Sequence, residues 1–173
     1  VINNGKFTVL PEMYFNNFGV VDNEHFAFAN DVSIKIYEFE NINKPSAEWN
    51  LPSEDNTEFG YQLLGTSMNK TTEQIAVFYV DIPDDFDNIY DHKEPDLSST
   101  YQIAVIDAGG NEVYTLDTGI NLMVEFYGLP DCVRPEMGIT YKNTLRFTLG
   151  EKSYEFNFEE KSLEKISPLT IFD

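Results

Sequence analysis

The chain has 173 residues, 42% of them apolar, with 14 Phe and 10 Tyr, and it carries 30 acidic against 11 basic side chains for a formal charge of −19. Its length falls in the range of one domain, which would bury about 70% of the unfolded surface, and its aromatic content sets it apart from disordered acidic chains. The charge excludes nucleic acid and anionic membrane surfaces as partners, because neutralising phosphate needs the opposite sign, and no apolar run is long enough for a transmembrane helix.

The first forty residues read as short strands separated by turns. Residues 7–10 follow the Asn3-Asn4-Gly5 turn signal and end at Pro11, and residues 16–19 mark the next reversal. Residues 26–28 and 32–39 follow; in the latter Val32, Ile34 and Ile36 share one face and Ser33, Lys35 and Tyr37 the other, the period of a half-buried strand. From 40 to 56 the alternation fails and Pro45 and Pro52 appear, which predicts a long connection. Residues 46–49 suit one capped helical turn, and Trp49, the only tryptophan, is expected to anchor this loop on the core.

Residues 59–64 form a further strand candidate, and Asn69-Lys70-Thr71 is formally a glycosylation acceptor. Residues 75–80 are apolar at every position, as in a strand covered on both faces. An acidic segment follows, with Asp81, Asp84, Asp85, Asp87, Asp91, Glu94 and Asp96 against Lys93, before the apolar run 101–106 resumes. The turn 107–111, with Gly109 and Gly110, joins that run to 112–116 as a hairpin. Residues 122–127 alternate again, and 128–138, with two prolines and Cys132, read as irregular. Residues 145–149 and 154–158 flank the turn 150–152 and alternate cleanly as a second hairpin. Residues 159–166 suit one or two helical turns with Leu163 and Ile166 facing the core, stopped by Pro168 and followed by an apolar tail, 169–172.

Nine or ten short strands with turn signals and no long helical pattern predict an all-β fold: one domain spanning 1–173, an antiparallel β-sandwich of immunoglobulin-like or jelly-roll type. Long connections are expected at 40–58, 81–100 and 128–142.

Chemistry is thinly encoded. Asp85, Asp87 and Asp91 supply oxygen ligands at alternate spacing suited to calcium. The glycine and terminal glutamate of an EF-hand are missing, however, and no flanking helices are predicted. The pair Asp85 and Asp87 resembles the Asp-x-Asp loops of C2-type sandwiches over those few residues, without the further aspartate in register. Asp84, Asp85, Asp87 and Asp91 together also suit contact with a basic partner, and Ile171 and Phe172 suit pairing with a sheet edge by strand addition. A nucleophilic Cys132 would need His25 or His92, the only histidines, and its surroundings match no catalytic signature. With thirty carboxylates, acid pairs of the glycosidase kind arise by chance and identify nothing. Two histidines and one cysteine fall short of a structural zinc set, and phosphate-loop and hydrolase motifs are absent. Tyr79, Tyr90, Tyr101 and Tyr127 are candidates for stacking on sugars.

The expectation is therefore a non-enzymatic structural or binding domain of an extracellular, filament or virion assembly. It would engage a protein partner or itself through sheet edges and acidic loops, without an obligatory cofactor, calcium being the one candidate ion. The lone cysteine leaves the redox compartment open, and a start at Val1 in place of Met is consistent with a trimmed precursor or with a chosen chain boundary. The alternatives are a soluble acidic inhibitor or immunity-type protein that blocks a basic partner, and a calcium-dependent adhesion or carbohydrate-binding module.

Overall fold

A computed structural model describes residues 2–3, 6–7, 17–30, 32–52, 61–82, 97–126 and 130–167. Among these the chain forms sixteen strands and no helix. β1 (Ile2–Asn3) and β2 (Lys6–Phe7) make a short ribbon. An N-terminal sheet holds β3 (Asn17–Val20), β4 (His25–Ala29), β5 (Ser33–Glu38) and β6 (Ala47–Asn50). A middle sheet holds β7 (Tyr61–Asn69), β8 (Gln74–Asp81), β9 (Thr100–Asp107) and β10 (Glu112–Asn121). After the ribbon of β11 (Val124–Phe126) and β12 (Pro130–Cys132), a C-terminal sheet holds β13 (Glu136–Ile139), β14 (Leu145–Leu149), β15 (Lys152–Asn157) and β16 (Ser162–Ile166). Pairing is antiparallel throughout, and each four-stranded sheet is a meander in which sequence neighbours are spatial neighbours.

The all-β reading holds, with three four-stranded sheets instead of two. The reason lies in β8 and β9, whose residues are apolar on both faces. Because side chains alternate along a strand, Ile75, Val77, Tyr79, Ala104 and Ile106 face the N-terminal sheet and pack on Ala27, Ile34, Ile36 and Trp49. Ala76, Phe78, Val80, Tyr101, Ile103 and Val105 face the other way, onto Leu145, Phe147, Leu149 and Phe156. The middle sheet thus has a core on each side. Fully burying one such side chain contributes about 1.5–3 kcal/mol.

Three sequence expectations are corrected. Residues 46–49 are not a helical turn: β6 pairs with β5, and Trp49 alternates inward against the Tyr79 ring, 6.1 Å away. Tertiary packing outweighs a weak capping signal there, though Trp49 does plug the core as expected. Residues 162–166 are likewise a strand; Leu163 pairs with Phe156 on the inner face while Ile166 pairs with Ser153 on the outer one, so their three-residue spacing is not helical. The irregular region 128–142 contains β12 and β13. Of the connection 81–100, residues 83–96 lie outside the described residues.

Specific contacts lock the layers. A Cβ on Gly19 would lie 2.5 Å from Met68 Sδ, and one on Gly65 3.3 Å from Met137 Cε, so bare backbone lets β3 and β13 approach β7. Tyr101, wholly buried, accepts the Met123 N–H and donates to the Val133 carbonyl, holding down the segment that leaves the middle sheet. Tyr114 donates to the Phe158 carbonyl at 3.1 Å under Lys161, and burial pushes its pKa up to about 12. Asn69 is completely buried; its side chain accepts the N–H groups of Thr71 and Thr72 and donates from Nδ2 to the Asn143 carbonyl.

Candidate functional site

The C-terminal sheet turns one face to the core and leaves the other open, and the register of its strands determines what stands there. Leu145, Phe147 and Leu149 point inward, so Arg146 and Thr148 point outward. Directly paired residues share a face, and two rows therefore cross all four strands: Gly138, Arg146, Glu155, Glu164, and beside them Glu136, Thr148, Ser153, Ile166. Between these rows lies a shallow groove of about 450 Å³, bounded near one end by Thr140. Gly138 contributes to its depth, since nothing lies within 4 Å of where a Cβ would stand.

Arg146 anchors the floor. Its Nε–H donates to Glu155 Oε2, and Glu155 Oε1 accepts from the Thr144 hydroxyl at 3.0 Å. Thr144 Oγ1 in turn lies 2.7 Å from Thr140 Oγ1 across the β13–β14 turn. The Arg146 hydrogen bond, aided by Thr144 and by the charges of Arg146 and Lys142, outweighs burial and holds the Glu155 carboxyl below its ordinary pKa. A guanidinium offers several N–H donors in a planar fork, so a ligand can be received without breaking the pair. Tyr141, the residue after Thr140, is 90% exposed, with the Lys142 ammonium 5.8 Å from its ring centroid.

The other shifted carboxylates have structural duties. Asp22 would be raised by burial, but the Glu24 N–H, the His25 side chain and the His25 N–H all donate to it, and its pKa falls. Asp107 is lowered against burial by Asn111 and the Gly109 N–H, and Asp117 by the Gly119 N–H together with Thr100 and Gln102. Each of the three fixes a turn or a bulge.

The sequence-predicted residues fare differently. Asp84, Asp85, Asp87, Asp91, Ile171 and Phe172, the calcium and partner candidates, lie outside the described residues, as do His92 and Tyr90. Among the described residues no group of three or more His, Cys, Asp or Glu is placed to hold a metal. Cys132 is buried between the middle and C-terminal sheets, whereas His25 sits in the N-terminal sheet bonded to Asp22, so these two make no nucleophile pair. Tyr79 and Tyr101 are core residues and offer no face to a sugar. The Arg146–Glu155 pair was missed, although it was readable: a two-residue turn at Gly150 and Glu151 sets Leu149 opposite Lys152 and hence Arg146 opposite Glu155.

No family model matches the sequence, and no curated protein matches it. Among solved structures the chain resembles a protein of unknown function from Bacteroides caccae, at 9% identity and a TM-score of 0.39, over 88% of this chain and 62% of that one. The chain thus spans less than two thirds of that protein's length.

Proposed function

We propose that this chain is a non-enzymatic structural or binding domain whose contact surface is the open outer face of the C-terminal sheet. The observation that carries this reading is the groove across β13 to β16, which no other described element covers and whose charged floor is already paired. A general acid in a hydrolase needs a carboxyl whose pKa is raised. Asp22, Asp107, Asp117 and Glu155 are all shifted downward, towards permanent ionisation. In fold, we read the middle and C-terminal sheets as a β-sandwich in packing, one domain with the N-terminal sheet as an added layer. Its meanders differ from the Greek-key connections of immunoglobulin-like and jelly-roll sandwiches.

The chain is offered to aryl glycosides, esters and phosphates between pH 4 and 8, beside Glu155→Gln. Turnover that disappears in the variant would end the non-enzymatic reading. Self-assembly through sheet edges and the 169–172 tail predicts that sedimentation shows oligomers and that removal of residues 168–173 dissolves them. A strict monomer in both forms leaves a binding domain for a separate partner.

The formal charge of −19 favours a second reading, a soluble acidic inhibitor or immunity-type protein that blocks a basic partner. Its association with a cationic polypeptide weakens steeply between low and high salt; an interaction indifferent to salt removes it. A calcium-dependent module, drawing on Asp85, Asp87 and Asp91, predicts a melting temperature that rises with calcium and falls with chelator.

A further inference from the structure

We propose that Met68 and Met137 form an oxidation-sensitive clasp, and that a peroxide which converts both to sulfoxides loosens the two outer sheets from β7. The inference does not depend on what the C-terminal face receives.

Topology creates the clasp. β3, β7 and β13 are each the edge strand of their own sheet, and β7 is touched by β3 on one face and by β13 on the other. Both contacts set a methionine against bare backbone. Met68, directed from β7 into the core shared with the N-terminal sheet, seats its sulfur over Gly19 of β3, where a Cβ would lie 2.5 Å from Sδ. Met137, directed from β13 into the core shared with the C-terminal sheet, meets Gly65 of β7, where a Cβ would lie 3.3 Å from Cε and 3.6 Å from Sδ. One strand therefore holds both neighbours through thioethers.

Both methionines are only half-buried at this edge, so a small oxidant can reach them in the folded chain. The sulfur lone pair attacks one oxygen of hydrogen peroxide. An S–O bond forms, the O–O bond breaks, and the departing hydroxide takes the remaining proton and leaves as water. The sulfur is oxidised by two electrons and the peroxide reduced by two. A soft apolar side chain that filled its gap closely becomes a larger, polar one. At Gly19 no space is spare, since even a methyl group would overlap the sulfur.

The opposite edge is joined by other chemistry. There Gly110 of the β9–β10 turn packs on Ala47 of β6, and Lys161 of the β15–β16 turn covers the Tyr114 ring of β10 at 4.6 Å. Oxidation should open one edge and spare the other.

The test treats the full chain with hydrogen peroxide, maps sulfoxide at all four methionines by peptide mass, and follows melting and amide exchange. Met68 and Met137 are expected to gain oxygen in the folded chain, and the melting temperature to fall by about 5 °C. Amides of residues 18–20 and 136–139 should exchange about tenfold faster, while those of 47–50 and 112–116 keep their rates. Methionine sulfoxide reductases supplied with a thiol should reverse both changes. The double variant Met68→Leu, Met137→Leu conserves volume and should show neither change, although Met13 and Met123 remain oxidisable. Resistance of Met68 and Met137 to peroxide overturns the inference, as do unchanged melting and exchange after their oxidation, equal opening of both edges, or an equal loss in the double variant. Should the double variant not fold, the single variants decide: Met68→Leu should protect 18–20 and Met137→Leu should protect 136–139, and protection of neither overturns the inference.

Discussion

The two outer sheets pack on opposite faces of one middle sheet, yet the sides they turn away from it are chemical opposites, one a buried aromatic cluster and the other polar. On the N-terminal sheet the outward row is aromatic: Phe26 lies nearly parallel to Tyr37 at 5.5 Å, edge-on to Phe28 at 5.5 Å and against Phe39 at 5.1 Å, with Phe18 at the margin, 55% exposed. On the C-terminal sheet the outward rows are Glu136, Thr148, Ser153, Arg146 and Glu155. The inner faces of both are interchangeable in character, being apolar and matched to β8 and β9. The difference shows that the middle sheet dictates only what its neighbours present inward. What they present outward is left to other demands, an aromatic cluster in one case and charged and hydroxyl side chains in the other.

The comparison is tested most severely at the inner faces. Phe78 is buried against Tyr101 and Phe147, with ring centroids at 5.4 and 5.0 Å. Phe78→Ala should cost about 3–5 kcal/mol in denaturant unfolding, and a loss below 1 kcal/mol would mean that the two sheets are not tightly packed there. Phe26→Ala sharpens the contrast from the outer side. If the aromatic row of the N-terminal sheet acts as a third core, the loss approaches that of Phe78→Ala, about 2–4 kcal/mol. A near-neutral result would mean that this buried cluster adds little to folding stability.

Acid should act next. The folded-state pKa values of Asp22, Asp107, Asp117 and Glu155 are depressed. Their stabilisation is therefore complete above the unfolded carboxylate pKa of about 4 and disappears as pH falls through the lower folded values. Unfolding free energy should decline from about pH 5 downward. Asp22→Asn should flatten part of that decline, and an unchanged slope would remove Asp22 from it. The smallest effect is expected on the polar face: Arg146 and Glu155 are 36% and 21% exposed, and double-mutant coupling between them should not exceed about 1 kcal/mol. A larger coupling would make the pair a structural tie and weaken its standing as a recognition floor.

The sequence made β8 and β9 legible because nothing polar interrupts either face, and made the β14–β15 hairpin legible because its alternation is clean around a turn. The number of layers was harder to read. Ser33, Lys35 and Tyr37 look like a solvent face by their polarity, yet Tyr37 is buried in the aromatic cluster and Ser33 is buried and bonded to Asn30. β6, β13 and β16 are short and mixed in composition, and they owe their extended form to the strand beside them instead of to their own propensity. The groove escaped notice for a related reason. Its residues are far apart in sequence and individually ordinary, and they become a set only when cross-strand register aligns them. The acidic segment drew attention by density of charge, but Asp84, Asp85, Asp87 and Asp91 belong to residues on which the structure is silent.

The burial of Asn69 makes its acceptor tripeptide a question of timing. An oligosaccharide can be attached to Nδ2 only while that nitrogen is free, and in the folded chain it is bonded to Asn143, 74 residues further along. In a secretory compartment that glycosylates asparagine, modification therefore competes with the closure of the C-terminal sheet onto the β7–β8 turn. A chain modified first could not make this closure, so any glycan found at Asn69 would mark a molecule that missed its native fold.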